Sequence, residues 1–263
     1  MKIFIYILTI LFLTAPITKA TTYTGEVTKI DEGSNQVIDA QTKRGVEFAK
    51  ISVPQKNIST YTDANGNFRL PNIQITEDMI IDVKKEGYRP FSLTINRGGT
   101  LGDTPLKIEI ARSEAADISL DTQIIHLGDN TFSKNSANAS DFKLKSIGPY
   151  YSKDFIMTKN AKNSTNYLVI GSIVGLDTKM AHFLGQNKIK SGAFSTPANV
   201  YFNGNKIGEL NINGDNERIK IPSQLILADT TNQITIRTGE NTVIKNRIDY
   251  DDVEIMNLSI LSE

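Results

Sequence analysis

The chain of 263 residues contains no cysteine and no tryptophan, and its only histidines are His126 and His182. Without a thiol there is no cysteine nucleophile, no disulfide and no thiolate metal site. Two histidines without an H-x-x-x-H spacing make a poor zinc site, and His126 falls in a strand pattern, where a satisfied, half-buried imidazole is expected. An excess of one charge is also missing: 29 basic residues balance 29 acidic ones, with no run of like sign. Electrostatic capture of nucleic acid or of an anionic membrane is therefore not indicated. No G-x-S-x-G elbow, glycine-rich phosphate loop or H-E-x-x-H helix occurs. A carboxylate pair for glycoside hydrolysis stays open, because two distant Asp or Glu can meet in a fold.

A long apolar run occurs only at the N-terminus, where Ile3–Leu13 follows a single lysine. Crossing a bilayer takes about 20 apolar residues, so this run fits a secretory signal peptide over residues 1–20, cut after Thr18-Lys19-Ala20. An uncleaved anchor is the alternative, and no cysteine follows for lipid attachment. The expectation is an exported bacterial protein, periplasmic or extracellular, with no membrane insertion after signal cleavage. The missing disulfides favour a bacterial over a eukaryotic secreted product. With 39% hydrophobic residues the remaining chain can build proper cores.

Almost every periodic segment alternates with a period of two: Tyr23–Lys29, Glu47–Val53, Ser92–Ile95, Lys107–Ala111, Tyr167–Val174, Val200–Phe202, Arg218–Ile221 and Gln233–Arg237. Turn signals such as Asn203-Gly204-Asn205 and Asn213-Gly214-Asp215-Asn216 lie between them. Helical spacing is confined to Thr178–Leu184. Short strands at this interval predict an all-β chain of two β-sandwich domains in series, residues 22–112 and 117–263, bridged by Ser113–Ile118. Ser133–Ser146, Lys159–Asn166 and Gly185–Pro197 read as the longer loops, where sandwiches commonly build sites.

Ile58–Thr62 and Asn67–Leu70 flank Asp63-Ala64-Asn65-Gly66, which predicts a hairpin turn, since Asn and Gly tolerate positive φ. The stretch Asp63–Asn67 imitates the opening of an EF-hand loop, but Phe68 and Gln74 stand where glycine and glutamate are needed. Ala49-Lys50-Ile51-Ser52-Val53, Thr60–Phe68 and Gly87-Tyr88 together resemble the carboxypeptidase regulatory-like domain, a transthyretin-like sandwich, over roughly Thr22–Ala111. That resemblance implies an accessory or structural module.

The second half has its own resemblance. Asn199–Leu210, Asn232–Gly239 and the closing Asp249–Ile255 are similar to galactose-binding-like jelly rolls, which include many carbohydrate-binding modules, over roughly Asp117–Glu263. Thr178–Pro197 aligns with nothing in that pattern. In such domains the first and last strands lie side by side and often hold a structural Ca²⁺. The resemblance therefore implies Asp129, Asp251, Asp252 and Glu254 as candidate ligands. On a strand, Asp252 and Glu254 point one way and Asp251, Val253 and Ile255 the other. Ca²⁺ takes about six to eight oxygens, so crowded carboxylates suit it; a solvated acidic turn is the alternative. Val253 and Ile255 then fall out of phase with Leu258 and Ile260, which requires a bulge near Met256-Asn257 or a strand buried on both faces. Asp249-Tyr250-Asp251 has the form of the D-x-D of sugar-nucleotide transferases, but the α/β domain that motif needs is not in the pattern.

Sugars are usually held by exposed aromatic rings and polar groups. With no tryptophan, Tyr150 and Tyr151, after Gly148-Pro149 in an apparent loop, are the available platform; edge packing is the competing role. The function that follows is non-catalytic binding, of a glycan through the second domain. Docking of a surface or export protein is the alternative.

Overall fold

The computed structural model describes residues 35–98, 100–101, 105–132, 135–137, 142–187 and 193–263. The expected signal peptide and the expected strand Tyr23–Lys29 lie outside the described residues. The chain is all-β, with seventeen strands and one five-residue α-helix among the described residues.

The first nine strands are β1 (Asn35–Asp39), β2 (Lys50–Val53), β3 (Ile58–Tyr61), β4 (Asn67–Phe68), β5 (Ile73–Gln74), β6 (Met79–Lys84), β7 (Phe91–Ile95), β8 (Thr100–Leu101) and β9 (Lys107–Ile110). They form a sandwich of one sheet ordered β3-β2-β6-β7 against another ordered β4-β1-β9, with β5-β8 as a small pair beside them. Ala49, Ile51 and Val53 point into its core with Val37, Phe68, Ile81 and Ile108. Gly87-Tyr88 has a structural purpose. Gly87 turns with φ 80°, and the Tyr88 hydroxyl then donates to Asp39, whose carboxylate also meets Arg112 at 2.9 Å.

The turn at Asp63–Asn67 forms, but it does not close a hairpin ladder. Its backbone is held by Gly66 N donating to Asp63 O and by Asp63 Oδ1 accepting from the amides of Asn65 and Asn67. Yet β3 pairs with β2 while β4 pairs with β1, so the turn carries the chain from one sheet to the other. The divergence comes only after Thr62, whose amide still bonds Ala49 O, whose carbonyl accepts from Phe48 N and whose hydroxyl bonds Val46 O and Ala49 N.

The second sandwich comprises β10 (Ile118–Leu127), β11 (Tyr150–Ile156), β12 (Asn166–Val174), α1 (Lys179–Phe183), β13 (Ala198–Phe202), β14 (Asn205–Leu210), β15 (Gly214–Ile221), β16 (Thr231–Arg237) and β17 (Val253–Ser262). Its sheets are β10-β17-β12-β15 and β11-β16-β13-β14. Counted in chain order these are 1-8-3-6 and 2-7-4-5, the order of a jelly roll, with first and last strands adjacent. Leu127, Leu168, Phe202, Ile236 and Ile255 belong to its core.

The two sandwiches are packed face to face. Strand β6 sends Met79, Ile81 and Val83 into its own core and Ile80 and Asp82 into the second sandwich. Ile80 meets Val174 and Met256 there. Around that contact Asn257 Nδ2 donates to Asp82 at 3.0 Å, Ser172 Oγ to Ser92 Oγ at 2.9 Å, Thr94 Oγ1 to Asp215 at 2.7 Å and Gln55 Nε2 to Glu254 at 3.1 Å. Lys84 reaches the Thr122 carbonyl at 2.6 Å.

The phase problem in β17 is resolved by burial on both faces and by a kink at Asn257, φ 56°, while the extra residue of the irregular pairing falls on β10, where Thr122 and Gln123 stand opposite Asn257. Val253 and Ile255 on one side of Asn257, and Leu258 and Ile260 on the other, all reach the core. The neighbouring strands shift in step. The registers put Gly171 of β12 opposite Asn257 and also opposite Asn216 of β15, whose φ is likewise 56°. This transverse line of irregular residues turns Ser172 and Asp215 out of the jelly-roll core and towards β7.

Candidate functional site

The loops at one end of the jelly roll carry the acidic residues, and each has its own protein partners. Asp252 sits 2.8 Å from His126 Nε2 and accepts the amide of Asn130 at 3.0 Å. Asp251 accepts the Ser195 hydroxyl at 2.7 Å and the Asp177 amide at 3.0 Å. Asp249 accepts from Ala137 N and Asn241 Nδ2, and Asp129 caps Thr131 N and Tyr250 N. Glu254 faces the other sandwich through Gln55. Asp249, Asp251, Asp252 and Glu254 are all at most 2% exposed. The strand expected over Asp251–Ile255 begins only at Val253, so the carboxylates just before it fan into separate loops. Asp129, Asp251, Asp252 and Glu254 do not converge: among the described residues no group of three or more His, Asp or Glu is placed to hold a metal ion.

These carboxylates act as cross-links of the loop end. Burial, helped by the charges of Asp177 and Asp252, raises Asp251 well above the ordinary carboxylate range against the pull of its hydrogen bonds. Burial also raises Glu254, opposed by Gln55 and His126. His126 is fully buried, not half-buried, with Nδ1 on the Leu144 carbonyl and Nε2 on Asp252. Nε2 meets Asp252 as an ion-pair contact without hydrogen-bond geometry, and acceptors at both nitrogens favour the imidazolium form. Burial alone would lower its pKa; Asp252, the Leu144 carbonyl and Glu254 together raise it. His182 Nε2 is bound to Asp177, whereas the Ser195 hydroxyl is bound to the Asp251 carboxylate and not to the imidazole.

Tyr150 and Tyr151 are the first residues of β11, not of a loop, so strand alternation sends their rings to opposite sides. Tyr150 is half exposed, with the Arg237 guanidinium 5.6 Å from its ring centre. Tyr151 lies in the core, its hydroxyl 3.3 Å from Asp121; burial, with the Asp121 charge, pushes that phenol up. A two-ring platform is therefore not formed.

The structure forms a second candidate that no sequence motif marks. Between the sandwiches lies a cleft of about 460 Å³, walled by Phe91, Ser92 and Leu93 of β7, by Gly171 of β12, by Asp215, Asn216 and Arg218 of β15, and by Asn257, Ser259 and Leu261 of β17. The kinked line Asn216–Gly171–Asn257 forms part of its wall. Asp215 accepts from Thr94 and Ser172 across it, and burial raises its pKa against those bonds. The cations at its margin are paired: Lys43 with Glu109, Arg218 with Glu263 and Arg89 with Asp117, each at 2.7 Å. Asn257 Oδ1 is buried and has no hydrogen-bond partner. A sequence signal existed: MIIDV in β6 and VEIMNLSIL in β17 lack the alternation of strands with one wet face.

No curated protein matches the chain. Residues 34–122, the first sandwich with the opening of β10, match the family model of the CarboxypepD_reg-like domain, and the match stops at Thr122, short of the rest of the jelly roll.

Proposed function

We propose that this is an exported, non-catalytic binding protein whose ligand is a carbohydrate, with the first sandwich as a fixed wall of the binding unit and not a spacer. The observation that carries the reading is the welding of the two sandwiches. Ile80, Val174 and Met256 form an apolar contact, ringed by the Asp82–Asn257, Ser92–Ser172 and Thr94–Asp215 bonds. Such a joint makes a rigid body with a cleft of ligand size, since pockets commonly run about 300–1,000 Å³. Apolar faces beside amide and hydroxyl groups are what a sugar, apolar on its ring faces and polar at its rim, requires.

The test is a melting-temperature screen of the mature chain against neutral oligosaccharides, because a ligand of the native state raises stability by RT ln(1 + [L]/Kd). A saturable rise with one sugar class supports the reading. Flat curves across the panel at millimolar ligand reject it. Exposed Met180, Phe183 and Leu184 on and just after α1 favour a second reading, docking of another surface or export protein. Loss of partner capture by Phe183→Ser, with glycan binding absent, would support that reading instead.

A further inference from the structure

Resting on the carbohydrate reading, we infer that the sugar site is the cleft between the sandwiches, not the loop end of the jelly roll, and that it takes a neutral, hydroxyl-rich ligand of one or two rings. Three observations converge. The first is Asn257. Its Nδ2 donates to the Asp82 carboxylate at 3.0 Å, which fixes the orientation of the amide. Its carbonyl Oδ1, on a side chain 3% exposed that lines the cleft, has no hydrogen-bond partner; among the described residues it is the one such side-chain atom on the cleft wall, the others being on His126, His182, Arg237, Asp249 and Asp251. A buried acceptor without a donor costs free energy, and a ligand hydroxyl that reaches it as the side chain opens to the cleft recovers it.

The second observation is charge. The cations Lys43, Arg89 and Arg218 each have a carboxylate at 2.7 Å. The buried Asp215 is already satisfied by the Thr94 amide and hydroxyl and by Ser172. Neither a free cation nor a free carboxylate is offered by these groups, which argues against a phosphate, uronate or amine as the anchor and for hydroxyl groups. The third is construction. The αL conformations of Asn216 and Asn257, in register with Gly171, break the alternation of three adjacent strands at the cleft wall. Irregularities of this kind re-aim side chains, and they are over-represented beside binding and active sites.

The experiment uses the whole mature chain and a named panel: maltose, cellobiose, xylobiose, mannobiose, chitobiose and galactobiose, followed by titration calorimetry. Ala111, exposed where it borders the cleft, is changed to Trp to block entry without touching either core. Tyr150→Ala reports on the loop end. Melting curves show that both variants are folded. The expected result is saturable binding of at least one disaccharide by the wild type and by Tyr150→Ala, and its loss in Ala111→Trp. Binding that survives Ala111→Trp but is lost in Tyr150→Ala overturns the cleft while leaving the carbohydrate reading standing. Absence of binding by the wild type to every sugar overturns both.

Discussion

Gly171→Ala isolates the joint between the sandwiches with a single methyl group. In an exposed strand this change would be expected to stabilise by about 0.5–1 kcal/mol, because glycine loses more backbone entropy on folding and Gly171 has no positive φ to protect. The packing says the opposite. A Cβ at this position would stand 2.5 Å from Ser92 Oγ, 2.8 Å from Asn257 Cβ and 3.1 Å from the Met256 carbonyl. Ser92 is 3% exposed and bonded to Ser172 Oγ, and Asn257 is pinned to Asp82, so neither neighbour yields freely. Overpacking of this kind costs about 1–3 kcal/mol. The net expectation is destabilisation of about 1–2 kcal/mol, or a melting point lower by roughly 2–8 °C for a chain of this size. Thermal and urea unfolding of wild type, Gly171→Ala, Ser92→Ala and the double variant would measure it. Because Ser92 Oγ is the nearest obstacle, the double variant should be more stable than the sum of the single changes predicts. A Gly171→Ala protein as stable as wild type, with additive behaviour towards Ser92→Ala, would mean that β7 does not lie on β12 as described.

His126 makes stability depend on pH. Its folded pKa is raised, so its contribution is complete below the unfolded value of about 6.5 and is lost as pH rises through the folded value. Asp215, Asp251 and Glu254, also raised, make stability fall with pH in the same direction, starting lower, near the ordinary carboxylate range. The decisive quantity is therefore the difference from His126→Gln, whose stability should vary less above about pH 6.5; parallel curves would refute the imidazolium assignment. Asp252→Asn strands that imidazolium and should cost about 3–5 kcal/mol equally in EDTA and in millimolar Ca²⁺. A loss confined to the Ca²⁺ buffer would show that these carboxylates share a cation after all. Gly66→Ala should destabilise by about 2 kcal/mol or more, since φ is 80° and a Cβ would lie 2.3 Å from the Val37 carbonyl; an unchanged melting point would contradict the turn.

What the sequence disclosed was local. The alternation in Lys107–Ala111 and Gln233–Arg237 reappears as β9 and β16, and the short helical spacing at Thr178–Leu184 reappears as α1. Alternation and turn chemistry act between near neighbours, so they can be read without the fold. Partner choice is not local. Asn65-Gly66 announces a turn, but the strands on either side of it take distant partners, β2 for β3 and β1 for β4. The same reasoning separates Tyr150 from Tyr151. Their adjacency suggested one platform, whereas the β11–β16 register sends one ring out and the other into the core.

The acidic stretch shows how far the chemistry of a run of carboxylates depends on where the fold sends each one. Crowded carboxylates in a sequence must be stabilised by something, and a cation is the simplest single agent. Here Asp249, Asp251, Asp252 and Glu254 have four unrelated sets of donors, drawn from amides, hydroxyls, an imidazolium and a glutamine of the other sandwich. Local hydrogen bonds meet part of the cost of burying these groups, although Asp249 Oδ1 and Asp251 Oδ1 have no hydrogen-bond partner, and the crowding along the chain is relieved by fanning out in space. The converse holds for the interdomain cleft. None of its walls carries a sequence motif, because it arises where β7 crosses three strands that change phase together. Its one telling residue, Asn257, is recognisable only when the position of Asp82, 175 residues earlier, shows which end of the amide is spoken for. Sites of that kind belong to the packing of two domains, and either sandwich studied alone would lack them.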